Sequence, residues 1–276
     1  MLTSSRIVLV GTGYWSNVIR KLLPKDISWY STQSSGSSLF SLAELGKHLE
    51  RASGPLLVFL PIGPIHHFSV LDVILKNSNS RHKIWIEKPL FCRYDCYENQ
   101  IAARVFAEHD MFVDYPYLQH NLAPSAQYIR SIVASKIDLL LFSKNFYRRS
   151  HSELIDFLPH LFSILSLFFA ENVLKSINFS GFNSCSVGPH IHKVSFFIGN
   201  TRIRFCFGQS DRQSCLRLVS NGISHTYELQ ELFQCPVTAN VNMFINQPCE
   251  VWPAPARSLS FSEFIRDQSV KIESKE

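Results

Sequence analysis

Residues 6–16 read RIVLVGTGYWS. Arg6 to Val10 is a β-branched, strand-like run, and Gly11-Thr12-Gly13 leads from it into an amphipathic stretch, Asn17 to Leu23. Strand, glycine turn and helix in that order are the context in which G-x-G holds a dinucleotide. Gly11 permits the tight turn. Gly13 lets the backbone approach a pyrophosphate, whose charge the helix N-terminus stabilises. The third small position is Ser16, compact enough for close packing of helix on strand. An ordinary strand–helix turn uses the same residues, so the motif alone leaves both readings open.

Working outward, an acid about 20 residues beyond the turn holds the adenosine ribose of NAD. That place here is Tyr30-Ser31-Thr32, and no Asp or Glu occurs between Asp26 and Glu44. Without a carboxylate nothing repels a 2′-phosphate, and Ser31 and Thr32 can donate to one. The segment carries no Arg or Lys either, so the expected cofactor is NADP or NAD, with a modest preference for NADP.

Strand-like and helix-like stretches alternate through the first 115 or so residues. Ile27 to Ser31, Leu56 to Leu60 and Lys83 to Ile86 read as strands; Leu39 to Arg51, Phe68 to Lys76 and Tyr94 to Glu108 read as helices. This is the signature of βαβ units and a parallel sheet. The second half differs. Helical signals run from Ala123 to Ser135 and Glu153 to Phe169, followed by strand-like segments at Ser176–Ser180, Lys193–Ile198, Thr201–Phe207, Cys215–Val219 and Ser224–Leu229. Asn200 and Asn221-Gly222 supply hairpin turns. The expected fold class is therefore α/β: an N-terminal Rossmann domain with a parallel sheet, residues 1–117, plus a C-terminal α+β domain with a mainly antiparallel sheet, residues 118–276.

Composition narrows the function. With 46% hydrophobic and 18% charged residues, the chain has a globular composition. No apolar run reaches the roughly 18 residues of a membrane span, and MLTSSRIVLVG is too weakly apolar for a secretory signal. A cytoplasmic location is expected. The seven cysteines are scattered without a C-x-x-C pair, which suits reduced thiols, and no zinc site is expected. The basic residues behind the net charge of +5 are spread along the chain, fitting a small anionic ligand better than nucleic acid.

Two further motifs carry chemistry. Residues 84–89 read IWIEKP, placing Glu87 and Lys88 at the end of a strand, where open α/β sheets bind ligands. Pro89 restricts the backbone of Lys88. A strand emerging into solvent would read the same. Asp156 and His160 are four apart and share one helical face; a carboxylate beside an imidazole suits proton transfer near neutral pH. A buried structural pair is the plainer interpretation, and Pro159 must lie in the first turn or kink the helix.

Together, GTGYWS after the first strand, EKP after a later one and D-x-x-x-H on a helix of the second half resemble the Gfo/Idh/MocA oxidoreductases, the glucose–fructose oxidoreductase and inositol dehydrogenase type. LLVFLPIGPIHHF (56–68) is similar to that family's strand-plus-TP-x-x-x-H stretch, and VLKSINFSG (173–181) to the first strand of its sheet domain. The resemblance implies a nicotinamide cofactor held by Gly11, Thr12, Gly13, Tyr14 and Trp15, with Ser31, Thr32, Pro61, His66, Glu87 and Lys88 also lining it. It implies Lys88 on the substrate oxygen, His160 as general acid/base and Asp156 as its partner or a substrate ligand, all converging in one cleft, with no metal. Ser163 stands where many members carry a second Asp.

Other residues keep plainer readings. His66-His67 either face the nicotinamide or are solvated, Tyr115 and Tyr117 are core aromatics near a domain junction, and Arg148-Arg149 is a solvated pair or meets a substrate phosphate. The expected function is hydride transfer between nicotinamide and a hydroxyl or carbonyl carbon of a sugar, cyclitol or sugar-nucleotide-like small molecule. The alternatives are an imine or tetrapyrrole reductase, or a non-catalytic dinucleotide-binding sensor. The expected partners are this substrate and a second copy of the chain, paired through the C-terminal sheet, with no membrane or nucleic acid.

Overall fold

Ile7–Val10 is buried along its whole length, the pattern of a strand covered on both faces, and forms β1. The computed structural model describes residues 6–25, 27–30, 38–91, 95–115, 117, 124–143, 153–175, 177, 183–188, 191–233 and 236–273. After β1 come α1 (Tyr14–Arg20), β2 (Ser28–Tyr30), α2 (Ser38–Arg51), β3 (Leu57–Leu60), α3 (His67–Asn77), β4 (Lys83–Glu87), α4 (Cys96–Glu108) and β5 (Asp110–Asp114). These five strands are all parallel, in the order β2-β1-β3-β4-β5. The chain leaves β1 toward β2 on one side and returns to β3 on the other. The switch point of such a sheet, where open α/β folds bind ligands, lies at the C-terminal ends of β1 and β3.

Among the described residues the second sheet has six strands: β6 (Lys136–Ser143), β7 (Asn183–Gly188), β8 (Ile191–Ile198), β9 (Thr201–Gln209), β10 (Cys215–Ser220) and β11 (Ile223–Glu228). Its order is β11-β10-β6-β9-β8-β7, antiparallel except for the parallel pair β6–β9. Asn221 and Gly222 both have positive φ, 52° and 78°, as the tight turn from β10 to β11 requires. Between β6 and β7 lie α5 (Glu153–Leu165) and α6 (Glu171–Lys175); α7 (Leu229–Leu232), α8 (Pro236–Asn246) and α9 (Leu259–Glu273) complete the chain. No helix among the described residues is long and apolar enough to cross a membrane.

Contacts divide the chain into two compact units, Met1–Tyr115 with Val237–Arg266, and Pro116–Pro236 with Asp267–Glu276. This departs from an uninterrupted C-terminal domain at 118–276. Residues 237–266 pack with the first unit because their aromatics complete its core: Phe244 lies edge-on to Phe59 at 5.0 Å, and Trp252 meets Phe112 at 5.4 Å. Lys83 donates to the Gln247 carbonyl at 2.8 Å and lies over the Trp252 ring at 5.3 Å.

The helix expected over Ala123–Ser135 is instead a 3₁₀ segment, Pro124–Ser131, followed by irregular chain. β-branched Ile129, Ile132 and Val133 weaken a helix, and Val133 is 88% exposed, outside any apolar stripe. Most of the strand expected at Ser176–Ser180 lies outside the described residues.

Candidate active site

The glycine turn sits at the switch point. Gly11 has φ +127°, and a Cβ there would stand 2.6 Å from Ser16 Oγ and 2.8 Å from Ile62 Cγ2. Only glycine fits. Its N–H donates to the Tyr30 carbonyl at 2.8 Å, and its own carbonyl accepts from Trp29 Nε1 at 2.6 Å. Ser16 is fully buried, and its Oγ donates to the Pro61 carbonyl at 3.3 Å, tying the turn after β1 to the end of β3.

Gly13 is the opposite case. A Cβ there would meet nothing within 4 Å, so the space beside it is open. The neighbouring Thr12 Oγ1 is buried without a hydrogen-bond partner among the described residues. Tyr14 is 75% exposed and edge-on to Trp15 at 5.2 Å. Helix α1 spans seven residues, so open backbone at Gly13, rather than a long helix dipole, is what this turn offers an anion.

Ser31 and Thr32 lie outside the described residues, as do Arg148-Arg149. Tyr30, the last residue of β2, lines a cavity of about 590 Å³ with Arg6, Lys47, His48 and Arg51. Glu44 and Leu56 line it too, and Arg6, Arg51 and Leu56 stand at the N-terminal ends of β1 and β3, the opposite edge of the sheet from the glycine turn.

At the end of β4, Glu87 and Lys88 are half-buried and Pro89 is buried behind a cis peptide bond. The loops after β3 and β4 are joined by His67, whose ring nitrogens lie 2.9 Å from the Ile62 carbonyl and 3.2 Å from the Leu90 carbonyl. His67 is fully buried, whereas His66, the candidate for the nicotinamide side, is exposed. Asp114 is a residue the sequence reading missed. It ends β5 in register with Glu87, is 5% exposed, and accepts a hydrogen bond from Asn240 Nδ2. Its carboxyl is pushed up to about 7, chiefly by burial and also by the charge of Glu87, with the Asn240 hydrogen bond and the Lys88 charge opposing the rise.

In the second unit, Asp156 is buried and His160 half-buried on α5. Pro159 lies inside α5 rather than in its first turn, and its carbonyl accepts from Ser163 Oγ at 2.6 Å. Ser163 is fully buried, so its hydroxyl serves the helix. The His160 ring lies 5.5 Å from Tyr117 and 6.3 Å from Phe157. Tyr117 has φ 63°, rare for a bulky residue, and burial pushes its hydroxyl up to about 12. It lines a cavity of about 670 Å³ with Phe142, Arg212, Gln213 and Phe233, among others. Tyr115, by contrast, is core: fully buried, with its hydroxyl bonded to Ser262 Oγ. Among the described residues no group of three or more His, Cys, Asp or Glu is placed to hold a metal ion.

Neither a protein-family model nor a curated protein matches the sequence. Solved structures do match in fold. UDP-N-acetylglucosamine 3-dehydrogenase GnnA from Acidithiobacillus ferrooxidans superposes with TM-score 0.63 at 14% identity, over 98% of this chain and 97% of that one. Biliverdin reductase from Synechocystis sp. PCC 6803, solved with biliverdin and NADP+, gives 0.57 at 12%, over 99% of each chain. A Gfo/Idh/MocA family oxidoreductase from Vibrio cholerae gives 0.59 at 9%, over 99% of this chain and 100% of that one. The chain has the fold of the Gfo/Idh/MocA-type oxidoreductases.

Proposed function

We propose that this protein is an NAD(P)-dependent oxidoreductase of the Gfo/Idh/MocA type, with the nucleotide-binding turn and Lys88 in the first unit and Asp156 and His160 in the second. The observation that carries the reading is the turn at Gly11–Gly13. At the switch point of a parallel sheet, it combines a glycine that packing makes obligatory, open backbone at Gly13 and a buried, unpartnered Thr12 hydroxyl oxygen. These features fit a dinucleotide pyrophosphate: the open backbone admits it and Thr12 supplies a donor. The lack of any Asp or Glu between Asp26 and Glu44, where an acid would hold the ribose of NAD, supports NADP as the preferred form.

A bound nicotinamide would supply or accept the hydride. The chain's own residues handle the rest. In the oxidising direction His160 accepts the substrate hydroxyl proton, Asp156 stabilises the resulting imidazolium, and Lys88 stabilises the charge developing on oxygen. Tyr117 shapes the surroundings of His160. The substrate is a small molecule whose oxygen, or nitrogen in an imine, changes its bond order to the carbon that exchanges hydride. A sugar, cyclitol or sugar nucleotide is favoured by the polar side chains of the cavity at Tyr117, and a tetrapyrrole by its aromatic ones.

The test is a thermal-shift screen with NAD, NADP and their reduced forms, followed by sugar nucleotides, cyclitols and tetrapyrroles on the best complex while nicotinamide absorbance is monitored. Stabilisation with turnover supports an enzyme. Stabilisation without turnover of any of them favours a dinucleotide-binding sensor, and no stabilisation at all overturns the proposal.

A further inference from the structure

Trp29 is the middle residue of β2, the edge strand of the first sheet, in register with Leu9 of β1. Side chains alternate across a strand, so Ser28 and Tyr30 share one face and Trp29 takes the other. Tyr30 meets His48 of α2 edge-on at 5.9 Å. Trp29 lies instead under Arg20 of α1, whose guanidinium carbon is 4.1 Å from the ring centre. An indole has one donor and no acceptor, and that donor is directed at the Gly11 carbonyl, 2.6 Å away.

Both polar backbone groups of Gly11 are thus held by adjacent residues of one strand. Its N–H donates to the Tyr30 carbonyl at 2.8 Å, and its carbonyl accepts from Trp29. The second bond has the larger consequence. A glycine at φ +127° lets the peptide that follows it rotate, so the orientation of the Gly11–Thr12 peptide must be imposed by a neighbour. In a planar trans peptide the carbonyl and the N–H point opposite ways. With the carbonyl turned to Trp29, the Thr12 N–H is turned away from it. No hydrogen bond holds that N–H among the described residues, and the Thr12 hydroxyl is likewise without a partner there.

Arg20 acts one step further back. A cation over the face of an indole draws on its π density, which makes the Nε1–H a stronger donor toward Gly11. We infer that Trp29, braced by Arg20, is the positioning residue of the glycine turn: its indole N–H fixes the Gly11–Thr12 peptide so that the Thr12 N–H is presented to the pyrophosphate. This rests on the reading of the turn as a dinucleotide site. Trp29 acts through Gly11 and not by touching the cofactor.

The test is calorimetric titration of NADPH into the natural protein, Trp29→Phe, Arg20→Ala and the double variant, each first shown to unfold cooperatively. Trp29→Phe keeps an aromatic ring and removes the donor. It should weaken NADPH about tenfold, the scale of one preorganised hydrogen bond. Arg20→Ala, at an exposed position, should weaken it about two- to threefold. The double variant should bind as Trp29→Phe does, because Arg20 works only through the indole. In protein labelled with ¹⁵N at tryptophan, Arg20→Ala should also move the Trp29 indole signal, the one missing from Trp29→Phe.

Equal NADPH affinity in the natural protein and in folded Trp29→Phe overturns the inference and leaves the dinucleotide reading standing. Losses that add in the double variant overturn the link from Arg20 through Trp29. If Trp29→Phe does not fold, Arg20→Ala decides: a moved indole signal with unchanged affinity overturns the inference. No binding of NADPH or NADH to the natural protein overturns the dinucleotide reading, and the inference with it.

Discussion

The imidazole rings of His82 and His109 stack face to face, 5.4 Å between centroids and 7° from parallel. His82 Nδ1 accepts from the Leu56 N–H at 3.2 Å, and His109 Nδ1 accepts from the His82 N–H at 3.1 Å. Each ring must stay neutral to keep its acceptor, and a proton on either Nδ1 breaks a bond at the N-terminal edge of the first sheet. Burial pushes His82 down to about 4, with the neighbouring charge of His109 also lowering it, and burial lowers His109 as well.

Both folded-state values lie below the ordinary one for histidine, about 6.5. As pH falls the unfolded chain takes up these protons first. The stabilisation is complete above about 6.5 and is lost progressively as pH drops toward about 4. Asp114 works the other way: raised to about 7, it favours the folded chain as pH falls below neutrality. Comparison with His82→Gln, which keeps an acceptor but has no titrating ring, cancels that contribution. The Tm of the natural protein should fall more steeply from pH 7.5 to pH 5 than that of His82→Gln. Parallel curves would show that the stacked pair has no part in acid sensitivity.

The two glycines of the turn should respond differently. Gly11→Ala combines positive φ with a 2.6 Å approach to Ser16 Oγ and is expected to cost about 1–3 kcal/mol in urea unfolding. Gly13 has φ −74° and open space around it, so Gly13→Ala should stay within about 0.5 kcal/mol of the natural protein. Equal costs at the two positions would mean that the turn is packed differently.

NADP(H) should bind at least as tightly as NAD(H). No Asp or Glu stands between Asp26 and Glu44, so no carboxylate ends β2 to hold a ribose hydroxyl or repel a 2′-phosphate. Ser31→Asp, which supplies one, should weaken NADP(H) and leave NAD(H) almost unchanged. A clear preference of the natural protein for NAD(H) in titration would rule out this assignment.

Lys88→Ala and His160→Ala should remove turnover while dinucleotide affinity stays nearly intact. Loss of a positioned acid or base costs roughly 10²–10⁴ in rate, far beyond the effect of a solvated side chain. Full activity in either variant would remove that residue from the mechanism.

The parallel sheet was legible because β1, β3 and β4 are short apolar runs separated by helix-period stretches. β5 escaped notice because only three apolar residues stand between Asp110 and Asp114, shorter than the usual strand signal; Asp114 is held by Asn240, far away in the chain. β6 was hidden for a similar reason. Asp138 interrupts its apolar run, yet it is 1% exposed and paired with Arg204 and Lys136. The aromatics of residues 237–266 gave no local sign that they complete the core of the first unit. At the glycine turn, the close packing of Gly11 on Ser16 was legible from spacing, since it is local. The surroundings of Tyr117 were not, since they are made by residues such as His160 and Phe233 that folding brings from elsewhere.

The most direct test of the account is fluorescence titration of NADPH and NADH into the natural protein and into Gly13→Val, with far-ultraviolet circular dichroism to establish that the variant is folded. The Cβ of a valine there meets no protein atom within 4 Å, and the side chain fills the space a pyrophosphate needs. The account predicts saturable binding to the natural protein and loss of at least about tenfold in affinity, about 1.4 kcal/mol, in the folded variant. Equal affinity in both proteins, or no binding of either reduced cofactor to the natural protein, would contradict it.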